Sequence, residues 1–168
     1  MPGRAIAVLL AIAAGPAAAQ WSGWDYERDE PKKDRIELEV KPPAYPEEGK
    51  LVQFDAGGAT PHRFYIDPES ISVGQDGVVR YTLVVKTAGG SNNVSFEGIR
   101  CDMRQYKVYA FGRRDGTWMA ARDPQWRRIE YQEVNRHHGV LYGEILCRDR
   151  APVKSAKDAV NAIRYGAR

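Results

Sequence analysis

Two cysteines constrain this chain more than any other feature, because they are the only ones among its 168 residues. Cys101 ends a predicted strand in SFEGIRC, and Cys147 ends a predicted helix in LYGEILC. A bond between these positions would restrict the unfolded chain by about 4 kcal/mol in the chain-entropy treatment. Neither the C-x-x-C spacing of redox pairs nor the four close ligands of a zinc site is present. We expect a disulfide, with unpaired thiols and thiol chemistry as the alternatives.

The first 19 residues have the three parts of a secretory signal peptide. The basic residue Arg4 precedes the apolar run Ala5–Ala14, and a small-residue cleavage site ends at Ala19. The apolar run is much shorter than the roughly 20 residues of a membrane-spanning helix. We therefore expect export, cleavage after Ala19 and no membrane span in the mature chain. Gln20 stands where a bacterial lipoprotein carries its cysteine, so no lipid anchor is expected.

The net charge is small, but the charges are unevenly distributed. The formal net charge is +3, and removal of the leader lowers it only to +2. This value is too small to indicate nucleic acid or a membrane surface as a partner. Residues 20–50 carry nine acidic and six basic side chains, whereas residues 100–128 carry eight basic and three acidic ones. We expect these two segments to neutralise one another.

The middle of the chain has the pattern of antiparallel strands joined by short turns. In ISVGQDGVVRYTLVVKT, Asp76-Gly77 predicts a tight hairpin turn, and apolar side chains then alternate with polar ones. DPES, residues 67–70, is predicted to be another turn. Further candidate strands lie in KLVQFDA, RFYID, VSFEGIRC, RQYKVYAFG and DPQWRRI. Because no helical crossover separates them, they predict an antiparallel meander.

The last part of the chain changes to helical periodicity. Apolar residues at helical spacing predict a helix in NRHHGVLYGEILC, with Asn135 as its cap. A second helix is predicted to begin at Ser155, which forms a capping box with Asp158, and to end near Gly166. Helices that follow a sheet favour an α+β fold. We expect an antiparallel sheet of about six strands, with a C-terminal helix packed on one face and tethered by the disulfide.

The chain is expected to have three parts. Residues 1–19 form the signal peptide, residues 20–48 an extended or disordered N-terminal arm, and residues 49–168 a single domain. The arm is charged and interrupted by prolines. Only RIELEV within it alternates, with Ile36, Leu38 and Val40 on one side, and this pattern predicts a short edge strand.

Five motifs occur in order: YPEEGKLVQFDA, FYIDPESISVGQDGVVRYTLVVKT, NNVSFEGIRC, YKVYAFGRRDGTW and HHGVLYGEILC. With them, the chain resembles the cryptic neisserial protein-like (CNP-like) family of exported proteobacterial proteins from about residue 40 to 150. The resemblance implies an envelope protein with no established activity, and it places both cysteines at the family's cysteine positions. The expected architecture is also similar to that of surface-adhesin E-like proteins, which bind host extracellular proteins. Fold similarity by itself does not carry function.

Motifs of known catalytic sites are absent from the sequence. It has no G-x-S-x-G, no H-E-x-x-H and no phosphate-binding glycine loop. His62 follows a proline at the entry to a strand and is expected in an exposed loop. His137 and His138 are adjacent, so on a helix they point about 100° apart and do not form the i, i+4 pair of a metal site.

Glu97 lies in the middle of a predicted strand, where a catalytic carboxylate could stand. We expect it instead to pair with Arg80 or Arg100 on the sheet surface. No catalytic residue, metal or cofactor is therefore assigned. An unrecognised hydrolase of the cell envelope is kept as an alternative.

A basic, aromatic segment is the best candidate for a binding surface. Residues 111–129, FGRRDGTWMAARDPQWRRI, interleave tryptophans with arginines, a mixture that binds anionic or glycan ligands by charge and stacking. The alternative is that the tryptophans pack in the core or against the acidic arm while the arginines are solvated. The candidate residues are Arg113, Arg114, Trp118, Arg122, Trp126, Arg127 and Arg128.

The sequence thus predicts a non-catalytic accessory or binding protein of the cell envelope. We expect it in the periplasm of a Gram-negative bacterium, or secreted. Its partner is expected to be an envelope or extracellular protein or a glycan, and not a nucleic acid. An adhesin-like module that binds through residues 111–129 is the alternative.

Overall fold

The structure is a computed structural model that describes residues 36–130 and 135–165. The predicted signal peptide, residues 1–19, and the first part of the predicted arm, residues 20–35, lie outside the described residues.

Six strands lie side by side in chain order, each antiparallel to the next. They are β1 (Val52–Phe54), β2 (Arg63–Val73), β3 (Val78–Lys86), β4 (Asn92–Arg100), β5 (Gln105–Gly112) and β6 (Trp118–Ala120). A two-residue strand, β7 (Arg127–Arg128), pairs with the beginning of β5, whereas β6 pairs with its end. This arrangement confirms the predicted antiparallel meander.

The β2–β3 hairpin turns where Asp76-Gly77 predicts it. Gly77 has a φ of 75°, a conformation that glycine adopts without steric cost. Its amide donates to the carbonyl of Gly74 at 2.9 Å, which closes the turn. The alternation predicted for β3 holds, with Tyr81 and Leu83 on the helix side of the sheet and packed in the core.

The turn predicted at Asp67–Ser70 is wrong, because this stretch is a bulge inside the continuous strand β2. Its local hydrogen bonds are those of a turn: the amide of Glu69 donates to the Asp67 carboxylate at 3.0 Å, and the Ser70 hydroxyl donates to the Asp67 carbonyl at 2.7 Å. The Ser70 hydroxyl also accepts the amide of Thr82 from β3 at 2.7 Å. A side chain thus replaces a ladder bond, and the strand continues past the bulge.

A helical segment covers one face of the sheet, which we call the helix face. Helix α1 (Arg136–Val140) continues directly into a π-helical turn, Leu141–Leu146. Leu141 and Leu146 are fully buried in the core. Asn135 takes the predicted N-cap position, but its side chain makes no capping hydrogen bond.

The C-terminal elements lie beside this segment. Strands β8 (Cys147–Arg148) and β9 (Ala151–Pro152) form a small hairpin, which is followed by helix α2 (Ala156–Tyr165). The predicted cap of α2 is present, because the amide of Asp158 donates to the Ser155 hydroxyl at 3.2 Å. Ala159 is fully buried and joins α2 to the core. The α+β fold is confirmed.

The predicted disulfide between Cys101 and Cys147 is confirmed. It joins the residue after β4 to the first residue after the π-helical turn, with the two Cα atoms 5.4 Å apart. Both cysteines are buried. Arg150, in the β8–β9 hairpin, donates to the carbonyl of Asp102 at 2.7 Å and links the same two regions a second time.

The opposite face of the sheet, which we call the arm face, is covered by the described part of the predicted arm. The edge strand predicted for RIELEV is absent, because residues 36–47 cross the strands in an extended conformation without joining the sheet. Ile36 is 90% exposed and Leu38 is 44% exposed, whereas Glu37 points at the sheet. Strand β3 is buried on both faces as a result.

Replacing both cysteines with serine is expected to lower the free energy of unfolding by about 2–5 kcal/mol, because the unfolded chain gains freedom and the helical segment loses its tether. Chemical denaturation followed by circular dichroism measures this change. Met103→Ser, at an exposed position in the turn beside Cys101, is the control and should change the value by less than about 0.5 kcal/mol. A double variant as stable as this control would contradict a structural role for the bond.

Candidate functional site

Glu37 anchors the arm to the arm face. Its carboxylate accepts hydrogen bonds from the Lys107 ammonium at 2.9 Å, the Tyr109 hydroxyl at 2.8 Å and the Trp126 indole at 3.1 Å. Burial raises the pKa of Glu37, but these donors outweigh it and the pKa is lowered overall. The guanidinium of Arg100 stacks on Trp126, 4.2 Å from the ring centroid. The arm is therefore held by a charged carboxylate in a basic, aromatic setting.

The tryptophans of the candidate binding segment pack against this arm. Trp118 is half-buried, donates its indole N–H to the carbonyl of Pro43 at 2.9 Å and lies 5.4 Å from the ring of Tyr45. Trp126 is half-buried and bonded to Glu37. The two tryptophans of the segment thus pack against the arm. This is the alternative that the sequence analysis gave to an exposed binding surface.

The arginines of the same segment are exposed, but they do not form one compact patch. Arg113 follows the last residue of β5, whereas Arg127 pairs with Tyr106 near its beginning. Six residues of strand separate these positions, or about 20 Å. We call this row the arginine edge: Arg113, Arg114, Arg122, Arg127 and Arg128.

A buried ion pair holds the arm at Leu38, the residue next to Glu37. Arg80 and Asp76 form a salt bridge at 2.5 Å, with side chains only 3% and 1% exposed. Burial raises the pKa of Asp76, but the bonds from Arg80 and from the amide of Leu38 lower it to about 2. The Leu38 amide donates at 2.9 Å, so the arm backbone takes part in the pair.

The predicted pairing of Glu97 with Arg80 or Arg100 is wrong. Glu97 is buried on the helix face, where it accepts bonds from the Tyr81 hydroxyl at 2.9 Å and the Ser95 hydroxyl at 2.6 Å. His138 Nε2 lies 2.8 Å from the same carboxylate. Burial raises the pKa of Glu97, but His138 outweighs it and the pKa is lowered. The alternation of β4 puts Glu97 opposite Tyr81, and the sequence did not reveal which layer covers that face.

His137 and His138 form a stack of rings between α1 and the sheet. The His137 ring lies 5.1 Å from Phe64 and 4.1 Å from His138, and the His138 ring lies 3.8 Å from Tyr106. Burial, and the charge of His138, lower the pKa of His137 to about 4. His138 Nδ1 is buried with no hydrogen-bond partner among the described residues.

The Glu97–His138 pair has the residue types of an acid–base site but is closed off from solvent. Glu97 is 3% exposed and His138 is 4% exposed, so a substrate cannot come within hydrogen-bond reach of either group in this arrangement. No cluster of three or more His, Cys, Asp or Glu side chains in the described parts of the chain could hold a metal ion. The pair therefore acts as a buried polar link between helix and sheet.

His62 is exposed in a loop, as predicted. It lines a polar cavity of about 420 Å³ that also contains Asp55 and Arg63. Its Nδ1 accepts the amide of Ala88 at 3.4 Å, and Asp55 accepts the amide of Gly57 at 2.8 Å. Both side chains are thus bonded to the backbone of nearby loops and not to each other.

A larger groove, of about 870 Å³, lies between α2 and the β8–β9 hairpin. Its floor is apolar and includes Ile145, Val153 and Ala162. Charged side chains of both signs line its rim, and within the described part of the chain they form no ion pair with one another: Arg148, Asp149 and Lys154. The sequence does not predict this groove, because the groove depends on how the hairpin, the π-helical turn and α2 pack together.

Glu37→Ala is expected to lower the free energy of unfolding by about 1–3 kcal/mol, because Lys107, Tyr109 and Trp126 lose a charged acceptor. Glu39→Ala removes the same charge from an exposed position two residues away and should change the value by less than about 0.5 kcal/mol. Denaturant titration of the two variants measures the difference. Equal values for both would contradict the anchoring role of Glu37.

The stability of the protein is expected to fall as the pH decreases from 6.5 to 4.5. The unfolded chain takes up a proton on His137 in this range, whereas the folded chain, with a pKa of about 4, does not. The expected loss is about 2–3 kcal/mol. Glu97, whose pKa lies below its ordinary value of 4.5, contributes its own loss only at lower pH.

Unfolding free energies of His137→Gln across this pH range test the assignment. The variant should lose most of the dependence, while His62→Gln, at an exposed position, should keep it. The comparison uses the slope with pH, so a constant change in stability caused by the lost ring stacking does not affect it. An unchanged slope in His137→Gln would contradict the assignment.

No described helix has the length and apolar character to cross a membrane.

Comparison with known proteins gives a family match. No curated protein and no solved structure matches the chain. The CNP1-like family matches residues 30–164, which include the described part of the arm, the sheet, both cysteines and all but the last residue of α2. On this match, which spans most of its length, the chain belongs to the CNP1-like family.

Proposed function

We propose that this protein is an exported, non-catalytic protein of the bacterial cell envelope that works by binding a protein partner. The observation that carries the proposal is the buried Cys101–Cys147 disulfide, which uses the only two cysteines of the chain. Structural disulfides form outside the cytosol, where thiols are oxidised. The leader-like sequence of residues 1–19 supports the same location, and we place the protein in the periplasm.

A non-catalytic role is supported by the buried pairs, because the side chains most suited to acid–base catalysis are bonded to each other. Glu97 and His138 bond to each other beneath α1, and Asp76 and Arg80 do the same beneath the arm. Each pair joins a covering layer to the sheet. An envelope hydrolase is the less supported alternative, because it would need the cavity at His62, where the histidine and Asp55 are bonded to loop backbone.

The groove between α2 and the β8–β9 hairpin is the binding surface that we propose. Its volume lies in the range of ligand sites, and its apolar floor is surrounded by charges of both signs. This chemistry suits a segment of a protein partner in which an apolar side chain is flanked by charged residues of both signs. The disulfide holds the hairpin wall in place, because β8 begins at Cys147.

An adhesin-like role for residues 111–129 remains the second candidate. The exposed arginines favour it, because they make no ion pair or hydrogen bond through their side chains among the described residues. The half-buried tryptophans weigh against it, since Trp118 and Trp126 are bonded to the arm.

Photocrosslinking in the envelope tests the proposal. The full chain, produced with its own leader in a Gram-negative host, carries a photoreactive amino acid in place of Ala162 on the groove floor. We expect periplasmic protein that begins at Gln20 and whose mass falls by two hydrogen atoms on oxidation. We also expect an adduct whose partner peptide contains an apolar residue flanked by charges.

The matched control carries the same amino acid in place of Arg164, which is exposed on α2 and does not line the groove. The same adducts from both positions would overturn the groove assignment. Retention of the leader with reduced cysteines would overturn the assignment to the periplasm.

A further inference from the structure

The arginine edge lies along one side of the sheet, and the described residues balance its positive charge only in part, through the charge of Asp115 near Arg113. Its five arginines are exposed and, in residues 36–130 and 135–165, their side chains take part in no ion pair or hydrogen bond. Residues 111–129 contain two acidic residues, Asp115 and Asp123, and Glu130 follows them, so the edge has a net excess of positive charge. Asp115 is bonded to Thr117 within its own turn.

The net charge of the chain is small, but several of its acidic side chains pair with basic side chains elsewhere and do not neutralise the arginine edge. Glu37 faces Lys107 on the arm face, and Asp76 pairs with Arg80 beneath the arm. On the opposite side of the sheet, Lys50 pairs with two other acids, Glu47 and Glu69. Among the residues that the structure describes, the acidic and basic segments therefore neutralise one another only in part, and the remaining positive charge lies along β5–β7.

Two large apolar side chains are exposed beside the arginines. Phe111 on β5 and Met119 on β6 are register partners, so their side chains lie next to each other on the helix face. They are 44% and 45% exposed. The described helical segment leaves this corner of the sheet uncovered.

We propose that the arginine edge, with Phe111 and Met119, docks the protein on an anionic membrane surface. The row of arginines extends over about 20 Å, which suits a flat array of phosphate groups better than one small anion. Basic side chains near such a surface gain attraction that salt screens, and exposed apolar side chains add contact with the lipid boundary. The contact is peripheral, and it leaves the groove on the C-terminal side of the molecule free for a partner.

Cosedimentation of the mature full chain with vesicles tests this docking. We expect binding to vesicles of equal parts phosphatidylglycerol and phosphatidylcholine at low salt. Phosphatidylcholine vesicles should not bind the chain, and about 0.5 M salt should release it. Arg113→Glu with Arg127→Glu should weaken binding at least about tenfold. Phe111→Ser should weaken binding without changing its dependence on salt.

Lys157→Glu with Arg164→Glu is the matched control, because it makes the same change in net charge at exposed positions on α2. This control should bind the anionic vesicles as the unmodified chain does, and thermal unfolding should show that both double variants are folded. Equal loss in both double variants would reduce the effect to net charge and overturn the proposal. Failure to bind the anionic vesicles would also overturn it. Binding to heparin without binding to vesicles would assign the edge to a polyanionic glycan instead.

Discussion

The disulfide between Cys101 and Cys147 is the constraint on which the rest of this structure depends. It fixes the end of the π-helical turn beside the end of β4. From that point the turn places Leu141 and Leu146 in the core and His138 above Glu97, and the chain continues into the β8–β9 hairpin. A short helical segment gains little stability by itself. Its position, and with it the groove beside α2, follows from the covalent link.

Buried polar pairs then define how each layer sits on the sheet. On the helix face, Glu97 accepts bonds from two sheet hydroxyls and lies against His138. On the arm face, Asp76 and Arg80 form an ion pair that also binds the arm backbone at Leu38. An unpaired buried charge would be strongly destabilising, so each pair favours one arrangement of its layer. These titratable groups serve the architecture, and the binding that we propose uses the surfaces that they leave open.

The surfaces left open differ in chemistry. The groove combines an apolar floor with a rim of both charges, whereas the arginine edge combines positive charge with Phe111 and Met119. Two of the three aromatic side chains of residues 111–129 pack against the arm, because Trp118 and Trp126 donate hydrogen bonds to it. A protein that docks on a membrane by one edge and binds a partner by the other end would suit an envelope location.

The sequence by itself determined the local features of this protein: the strand alternation, the Asp76-Gly77 hairpin, the cap at Ser155 and the pairing of its two cysteines. The first three depend on residues close together in the chain. The pairing depends on the number of cysteines, because with two in the chain each has only one possible partner within it. Only the tertiary structure decided the partner of Glu97, the bulge at Asp67–Ser70, the inward direction of Glu37 and the groove beside α2. Alternation shows which side chains share a face, but it does not show what covers that face, because covering layers come from distant parts of the chain.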